Sequence, residues 1–213
     1  METKKRTIDN DPKISPKYRA SSYLALKLEV NSNDNWDEAI KIFNDRIQGR
    51  FVAPVDAIVD HASYAIREFA GFAILAIDCL IIETLNQFYT GTNETTGKHW
   101  KAFRDFFKSS AHFKTEFPTS KSCEIFYSHF RCGLLHQAQT KKHSKIRYGE
   151  GSMIQLVDPT NNNKGLIVDR KRFHDALKLE IKDYIKKLKN PTTSAERTLR
   201  SNFIKKMGFI TKQ

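Results

Sequence analysis

Cysteine is scarce in this sequence, and its three cysteines form no closely spaced pair. They are Cys79, Cys123 and Cys132, and no CxxC motif is present. Cys79 falls within an apolar run, where a thiol behaves as a small hydrophobic residue. The N-terminal region also lacks a leader in which a charged start is followed by an apolar stretch and a small-residue cleavage site. These absences argue against a disulfide-stapled secreted domain, and we expect a cytoplasmic protein in a reducing compartment.

The sequence also lacks the short motifs that mark the common nucleotide-dependent and hydrolytic enzymes. GxxxxGK[ST], a strand-linked GxGxxG, HExxH and GxSxG are all absent. Long charge-free apolar runs are absent too, because Asp78 and Glu83 interrupt the most apolar region and leave only residues 69–77 without charge. A bilayer span needs about 20 apolar residues. We therefore expect no membrane span, no metal and no cofactor.

Acidic residues are outnumbered by basic ones. The 213 residues include 36 Lys and Arg against 24 Asp and Glu, which gives a formal net charge of +12 and a pI of about 9.6. Such an excess favours a polyanionic partner, which means nucleic acid, an anionic membrane surface or an acidic protein. A basic surface that only keeps the protein soluble is the alternative interpretation.

The apolar pattern predicts a mainly α fold, a helical bundle with one long central apolar helix and a small late β-hairpin. Residues 1–20 are polar and interrupted by proline, so we expect a disordered basic tail there. The helical domain is predicted over residues 21–190, and a C-terminal helical appendage over residues 191–213. The central helix is predicted at Ala57–Tyr89, because its apolar residues occupy almost every angle. Two β-rich runs around a turn-rich segment predict the hairpin near residues 153–169.

A helix predicted over Cys123–Gln139 carries the two residues best suited to chemistry, Arg131 and His136. A histidine can take the proton of a ribose 2′-OH at neutral pH. An arginine can neutralise charge that builds on phosphate oxygens, with a forked donor that lysine lacks. The attacking hydroxyl belongs to the substrate, so the substrate must be RNA.

The spacing Arg131-x4-His136, on a late helix behind a long apolar one, resembles the HEPN family, whose hallmark is Arg, four to six residues, then His. The resemblance implies an all-α, metal-independent endoribonuclease that cleaves RNA by 2′-OH attack. It also implies a homodimer in which the Arg/His pairs face each other across a two-fold axis. A toxin or phage-defence role, with an antitoxin or defence-system protein as partner, is implied by the family alone.

Helix geometry separates Arg131 from His136, because five residues turn an ideal helix by about 140°. Either Gly133 distorts the helix, or each residue meets its counterpart from a second protomer. One alternative uses His129, Cys132 and His136 as ligands of a catalytic zinc, although the first and last lie about 10 Å apart along the axis. Another makes Arg131 a salt-bridge residue and His136 an interior histidine.

A basic stretch directly follows the motif. Its candidates for binding RNA phosphates are Lys141, Lys142, His143, Lys145 and Arg147. Such contacts would make binding depend on salt, whereas a solvated loop is the equally weighted alternative. The sequence as a whole predicts a homodimeric endoribonuclease, and the alternative is a non-catalytic helical dimer that binds RNA or a protein partner.

Overall fold

The computed structural model describes residues 10–59, 61–157 and 165–212, and over these ranges the fold is mainly α, as the sequence predicts. The described residues form ten α-helices, two π-helical turns and three strands. The helices are α1 (Ala20–Leu24), α2 (Trp36–Ile47), α3 (Ala53–Val59), α4 (Tyr64–Phe69), α5 (Gly71–Thr90), α6 (His99–Ser109), α7 (Ser120–Phe126), α8 (Cys132–Gln137), α9 (Arg170–Lys189) and α10 (Ser194–Ile210). The π-helical turns are Gln48–Val52 and Tyr127–Arg131, and the strands are β1 (Lys145–Arg147), β2 (Ile154–Leu156) and β3 (Leu166–Asp169).

The long central helix is interrupted, so the predicted span Ala57–Tyr89 is wrong in its first half. The last residues of α3, all of α4 and nearly all of α5 share that region, and only α5 is long. The side chain of Arg170 holds the break between α4 and α5. Its guanidinium donates to the Glu68 carbonyl at 3.0 Å and also to the Arg67 carbonyl. These carbonyls at the end of α4 have no partner within their own helix, and Arg170 supplies one.

The helix α5 lies at the centre of the core, where it packs against α6, α9 and α10. Side chains such as Ile81 and Leu85 are fully buried. By length and composition α5 could also cross a membrane, but 56% of its most apolar window is buried inside this fold. Its outer face leaves Phe72 38% and Leu80 43% exposed. An apolar helix in the centre of the bundle therefore retains one uncovered side.

Asp78, which α5 places in the core, finds its partner on α9. Its Oδ1 lies 2.7 Å from Nδ1 of His174, and both side chains are buried. Burial is the largest influence and raises the pKa of Asp78 to about 6, although the hydrogen bond with His174 acts in the opposite direction. On the other side, His174 Nε2 lies 3.6 Å from Oδ1 of Asp56, which is also 2.8 Å from the Lys178 ammonium. This chain of polar contacts ties α3, α5 and α9 together.

A three-stranded sheet in the order β1-β3-β2 follows α8, the helix that contains His136. The predicted hairpin is present, because β2 and β3 pair antiparallel with Gln155 opposite Ile167. Residues 158–164 of its connection lie outside the described residues. The strand β1 was not predicted, and it pairs with β3 in parallel. The end of the predicted basic loop is therefore a strand.

Both ends of the described chain pack on the helical core. Ile14 is buried, so the disorder expected for residues 1–20 does not extend to its later part, while residues 1–9 lie outside the described residues. The helix α10, in the segment predicted as an appendage, packs against α5 and α9 and buries Phe203 and Met207. These contacts make α10 part of the same core as the preceding helices.

Candidate active site

The motif lies on one continuous helical run that changes its winding midway. The Thr119 hydroxyl caps α7 by accepting the Ser122 amide at 3.1 Å. Residues Tyr127–Arg131 then form a π-helical turn before α8 begins. Such turns are rare and occur often at functional sites. The distortion that one of the two sequence interpretations placed at Gly133 lies earlier, in this turn, and Arg131 is its last residue.

Gly133 has a different role, at the end of α8. A Cβ at this position would collide with the carbonyl oxygen of Gln139, whose amide donates to the Gly133 carbonyl at 3.3 Å. The chain reverses at Ala138, which has a left-handed φ of 51°. The Lys141 amide then donates to the His129 carbonyl at 3.2 Å. The glycine thus lets the basic stretch fold back against the motif helix.

Arg131 lies in a half-buried cluster with an acid and a histidine from two other helices. Its Nε donates to Oε1 of Glu83 on α5 at 2.8 Å, and its Nη2 lies 3.3 Å from Nδ1 of His99 on α6. The same Nδ1 lies 3.1 Å from Glu83 Oε2 and 3.2 Å from the hydroxyl of Thr95. Three helical segments that are distant in sequence therefore meet at Glu83, His99 and Arg131, which we call the acid–histidine–arginine cluster.

Glu83 stabilises the charged form of the Arg131 guanidinium. Burial alone would lower the pKa of Arg131, but the hydrogen bond and the charge of Glu83 outweigh it, so the pKa is raised. The guanidinium carbon also lies 5.8 Å from the ring centre of Tyr127. Within the described part of the chain, Nη1 of Arg131 makes no hydrogen bond. One side of the fork is anchored, and the other can bind an anion.

His136 is exposed on α8, and among the described residues no side chain or backbone group hydrogen-bonds to its ring. It is therefore not the interior histidine of one sequence interpretation, whereas Arg131 is the salt-bridge residue of that same interpretation. No hydrogen bond joins Arg131 to His136 in the described structure. Within one chain, Arg131 contacts His99, and His136 is exposed to solvent.

The three residues of the zinc alternative have separate surroundings. His129 is buried, and its Nδ1 lies 2.9 Å from the Ser144 hydroxyl. Burial first, and the positive charges of Lys142 and Lys141 second, lower the pKa of His129. Cys132 is half-buried and unpaired. Over residues 10–59, 61–157 and 165–212, no three His, Cys, Asp or Glu side chains are grouped as metal ligands.

The basic stretch forms a tight turn followed by β1. The Ser144 amide donates to the Lys141 carbonyl at 3.0 Å, and the two residues between them, Lys142 and His143, have φ values of 46° and 64°. Two successive left-handed residues are the pattern of a type I′ turn. Ser144 is buried and accepts the Leu166 amide at 3.1 Å, which fixes the turn to β3. Of the predicted phosphate-binding side chains, the exposed ones are Lys142, His143, Lys145 and Arg147, and the half-buried one is Lys141.

An exposed apolar strip, which we define as Phe69, Phe72, Leu80 and Leu135, lies along α4, α5 and α8. The helix α4 buries none of its residues, and Phe69 is 78% exposed. Phe72 and Leu80 are eight residues apart on α5, so their directions differ by about 80° and both fall within one broad face of the helix. The helix α8 packs beside α5 and exposes Leu135 next to His136. Exposed apolar patches on soluble proteins mark interaction sites.

Glu83 and His99 are the residues that sequence reasoning missed. Glu83 stood out only as a charge that interrupts an apolar helix, and His99 belongs to no motif. They lie 48 and 32 residues from Arg131 along the chain, so no local sequence pattern indicates the cluster. The one available signal was Glu83 itself, because a carboxylate on a mostly buried helix needs a cationic partner.

No protein-family model, no curated protein and no solved structure matches this chain. The resemblance to the HEPN family therefore rests on Arg131, His136 and their position in the fold.

Proposed function

We propose that this protein is a metal-independent endoribonuclease of HEPN type, which cleaves RNA by attack of the 2′-OH and leaves a 2′,3′-cyclic phosphate. Arg131 stabilises the charge on the phosphate, and His136 takes the proton of the attacking hydroxyl. The observation that carries the proposal is the state of Arg131. Its Nε is held by Glu83 while its Nη1 has no hydrogen bond to a described residue, which is the arrangement that a preorganised phosphate donor needs.

A homodimer completes this proposal. His136 is exposed and is not bonded to Arg131, so a second protomer has to bring an Arg and a His to the same phosphate. The apolar strip supports this, because Leu135 of the strip is the neighbour of His136. A two-fold contact through this face would cover the apolar side chains and place two motifs opposite each other.

The basic turn and β1 would hold the RNA backbone beside the site. The four exposed cations and half-buried Lys141 directly follow the helix that carries the motif, and phosphate contacts of this kind position a substrate without reading its sequence. A cytoplasmic toxin or antiviral-defence role, with an antitoxin or defence-system partner, remains a proposal that rests on the family resemblance.

The second candidate is a non-catalytic helical dimer that binds RNA or a protein partner. The Glu83–Arg131 pair favours it, because each side chain is only 12–13% exposed, as a structural salt bridge between two helices would be. In that case the apolar strip would be the functional surface, and the motif would contribute only to stability.

Incubation of RNA with the purified protein in EDTA decides between the two candidates. We expect cleavage by the wild type and loss of cleavage in His136→Ala, with His112→Ala as the control, since His112 pairs with Asp183 outside the cluster. Cleavage that EDTA abolishes would point to the zinc alternative. Absence of cleavage by the wild type, or full cleavage by His136→Ala, would contradict the proposed chemistry.

A further inference from the structure

The structure places a second histidine at the phosphate-binding arginine. His99 is the first residue of α6, and its Nδ1 lies 3.1 Å from Oε2 of Glu83, while Arg131 donates to the other carboxylate oxygen, Oε1, at 2.8 Å. Donation of the Nδ1 proton to this carboxylate fixes the tautomer and the orientation of the ring and leaves Nε2 as the nitrogen that exchanges protons. The Arg131 Nη2 group 3.3 Å away can only donate, so it is then a close contact and not a second hydrogen bond to Nδ1. None of the sequence motifs includes this residue.

Exposure distinguishes His99 from its two partners. The His99 side chain is 32% exposed, against 12% for Glu83 and 13% for Arg131. The buried pair therefore forms the base of the cluster, and the histidine is its accessible part. An acid or base has to reach the substrate, and among the three side chains of the cluster His99 is the most exposed.

A cleft of about 300 Å³ lies between α5 and α6 on the far side of Thr95, and His99 itself does not line it. Thr95, which contacts His99 at 3.2 Å, and the neighbouring Lys98 are among its lining residues. Lys98 makes no ion pair with a described residue, whereas Lys101 in the same cleft is paired with Asp105. Glu94 and Asp105 line the same cleft, so carboxylates balance its cations, and the phosphate-binding group next to the exposed ring is Arg131.

We propose that His99 is the general acid of the cleavage reaction and that Glu83 is its positioning residue, an inference that rests on the proposed endoribonuclease function. The 2′-oxygen forms a bond to phosphorus, and its proton passes to His136. The bond between phosphorus and the 5′-oxygen breaks, and His99 Nε2 gives a proton to that oxygen. Arg131 neutralises the non-bridging oxygens throughout, and each histidine returns to its starting state by exchange with water.

The division of work between the histidines follows from their positions. Glu83 and Arg131 surround Nδ1 of His99, so this ring is held beside the guanidinium that binds the phosphate. His136 is on another helix and is exposed. Departure of the 5′-oxygen without a proton is slow, because an alkoxide is a poor leaving group, and a second proton donor at the arginine removes that barrier.

A substrate with sulfur in place of the bridging 5′-oxygen tests the assignment, because a thiolate leaves without protonation. The oligonucleotide carries this single change at the mapped cut site, and its cleavage is compared with that of the ordinary RNA. We expect His99→Gln to lose about 10²–10⁴-fold in rate on the ordinary RNA and to cleave the sulfur substrate at nearly the wild-type rate. Glu83→Gln should be rescued only in part, because Glu83 also fixes Arg131, which acts on both substrates. His112→Gln, a histidine paired with a carboxylate elsewhere, should match the wild type on both.

The wild type gives a second readout that does not depend on the folding of a variant. Its rate on the ordinary RNA should fall at alkaline pH as the general acid loses its proton, and this fall should be absent with the sulfur substrate. Equal losses of His99→Gln on both substrates, an unchanged rate on the ordinary RNA, or an alkaline fall on both substrates would each overturn the assignment. If the wild type cleaves neither substrate, the proposed function itself fails. If it cleaves and only the rescue is missing, the role of His99 fails alone.

Discussion

Different nitrogen atoms of the Arg131 side chain bind Glu83 and the proposed phosphate. Its Nε is bonded to Glu83, and this bond fixes the guanidinium plane between α5 and the motif helix. Its Nη1 has no hydrogen bond to a described residue and is available to a phosphate oxygen. A lysine has a single nitrogen and cannot hold the carboxylate and the phosphate in this way. The chemistry therefore depends on the fork as well as on the charge.

Arg131→Lys should lower the cleavage rate by about 10²–10³-fold, because it keeps the positive charge but removes a preorganised donor. Single-turnover rates under saturating enzyme measure this loss apart from RNA affinity. Arg104→Lys is the matched control, since Arg104 also pairs with a carboxylate, that of Asp105, but outside the cluster. A rate for Arg131→Lys within a factor of about two of the wild type would show that Arg131 acts only through its structural salt bridge with Glu83.

At the scale of helices and strands, the apolar pattern predicted the helices and the hairpin, whose signals are local in sequence. It did not predict features that depend on contacts between residues far apart in the chain. The hairpin was predictable because alternation and turn residues are local signals. The break after α4 was not, because the side chain that holds it, Arg170, comes about 100 residues later. The pairing of β1 with β3 is equally non-local. The position of Arg131 on a late helix was predictable, but its partners Glu83 and His99 were not.

The Asp78–His174 contact between α5 and α9 should give stability an unusual dependence on pH. Burial raises the pKa of Asp78 to about 6 in the folded protein, whereas an unfolded Asp titrates near about 3.9. A carboxyl with a raised folded pKa contributes stability that is complete below the unfolded pKa and is lost as pH rises through the folded one. Between about pH 4 and 6, wild type should therefore lose about 1–3 kcal/mol relative to Asp78→Asn.

Urea unfolding at several pH values measures this difference. Asp105→Asn provides the opposite case, because hydrogen bonds from Lys101 and Arg104 outweigh burial and lower the pKa of Asp105. That group contributes stability which is lost as pH falls, so the sign of its difference from wild type should be reversed. If Asp78→Asn and wild type respond to pH in parallel from pH 4 to 7, the buried carboxylate does not titrate as the structure implies.

At the scale of the whole molecule, the main feature is a surface on which an exposed apolar strip and a basic turn both lie next to the motif. One core joins α2 to α10, and a smaller cluster of Val55, Val59 and Ile74 lies between α3 and α5. The apolar strip is nevertheless left uncovered beside the motif. The net charge of +12 predicted a polyanionic partner but gave no position for it. Charge and hydropathy are sums over the chain, so the sequence could not show that the apolar strip and the basic turn flank the same short helix.

Leu80→Asp should convert a dimer into a monomer, because it places a charge in the middle of the strip that the second copy would cover. Leu179→Asp is the matched control, since Leu179 is similarly exposed, at 46% against 43%, but lies on α9 outside the strip. Light scattering at micromolar concentration measures the mass of each variant. A wild-type monomer, or a dimer that persists in Leu80→Asp, would contradict the proposal that two protomers form the active site through this strip.

The most direct test of the central claim is the cleavage of an RNA oligonucleotide that lacks one 2′-OH. The cut site is mapped on an all-ribose oligonucleotide in EDTA, and a second oligonucleotide carries a single 2′-deoxy residue on the 5′ side of that site. If the substrate supplies the nucleophile, the first yields a 2′,3′-cyclic phosphate and the second is not cut at that bond, while cuts elsewhere continue. Cleavage of the deoxy-substituted bond, or a product that ends directly in a 3′-hydroxyl, would contradict 2′-OH attack and with it the proposed function.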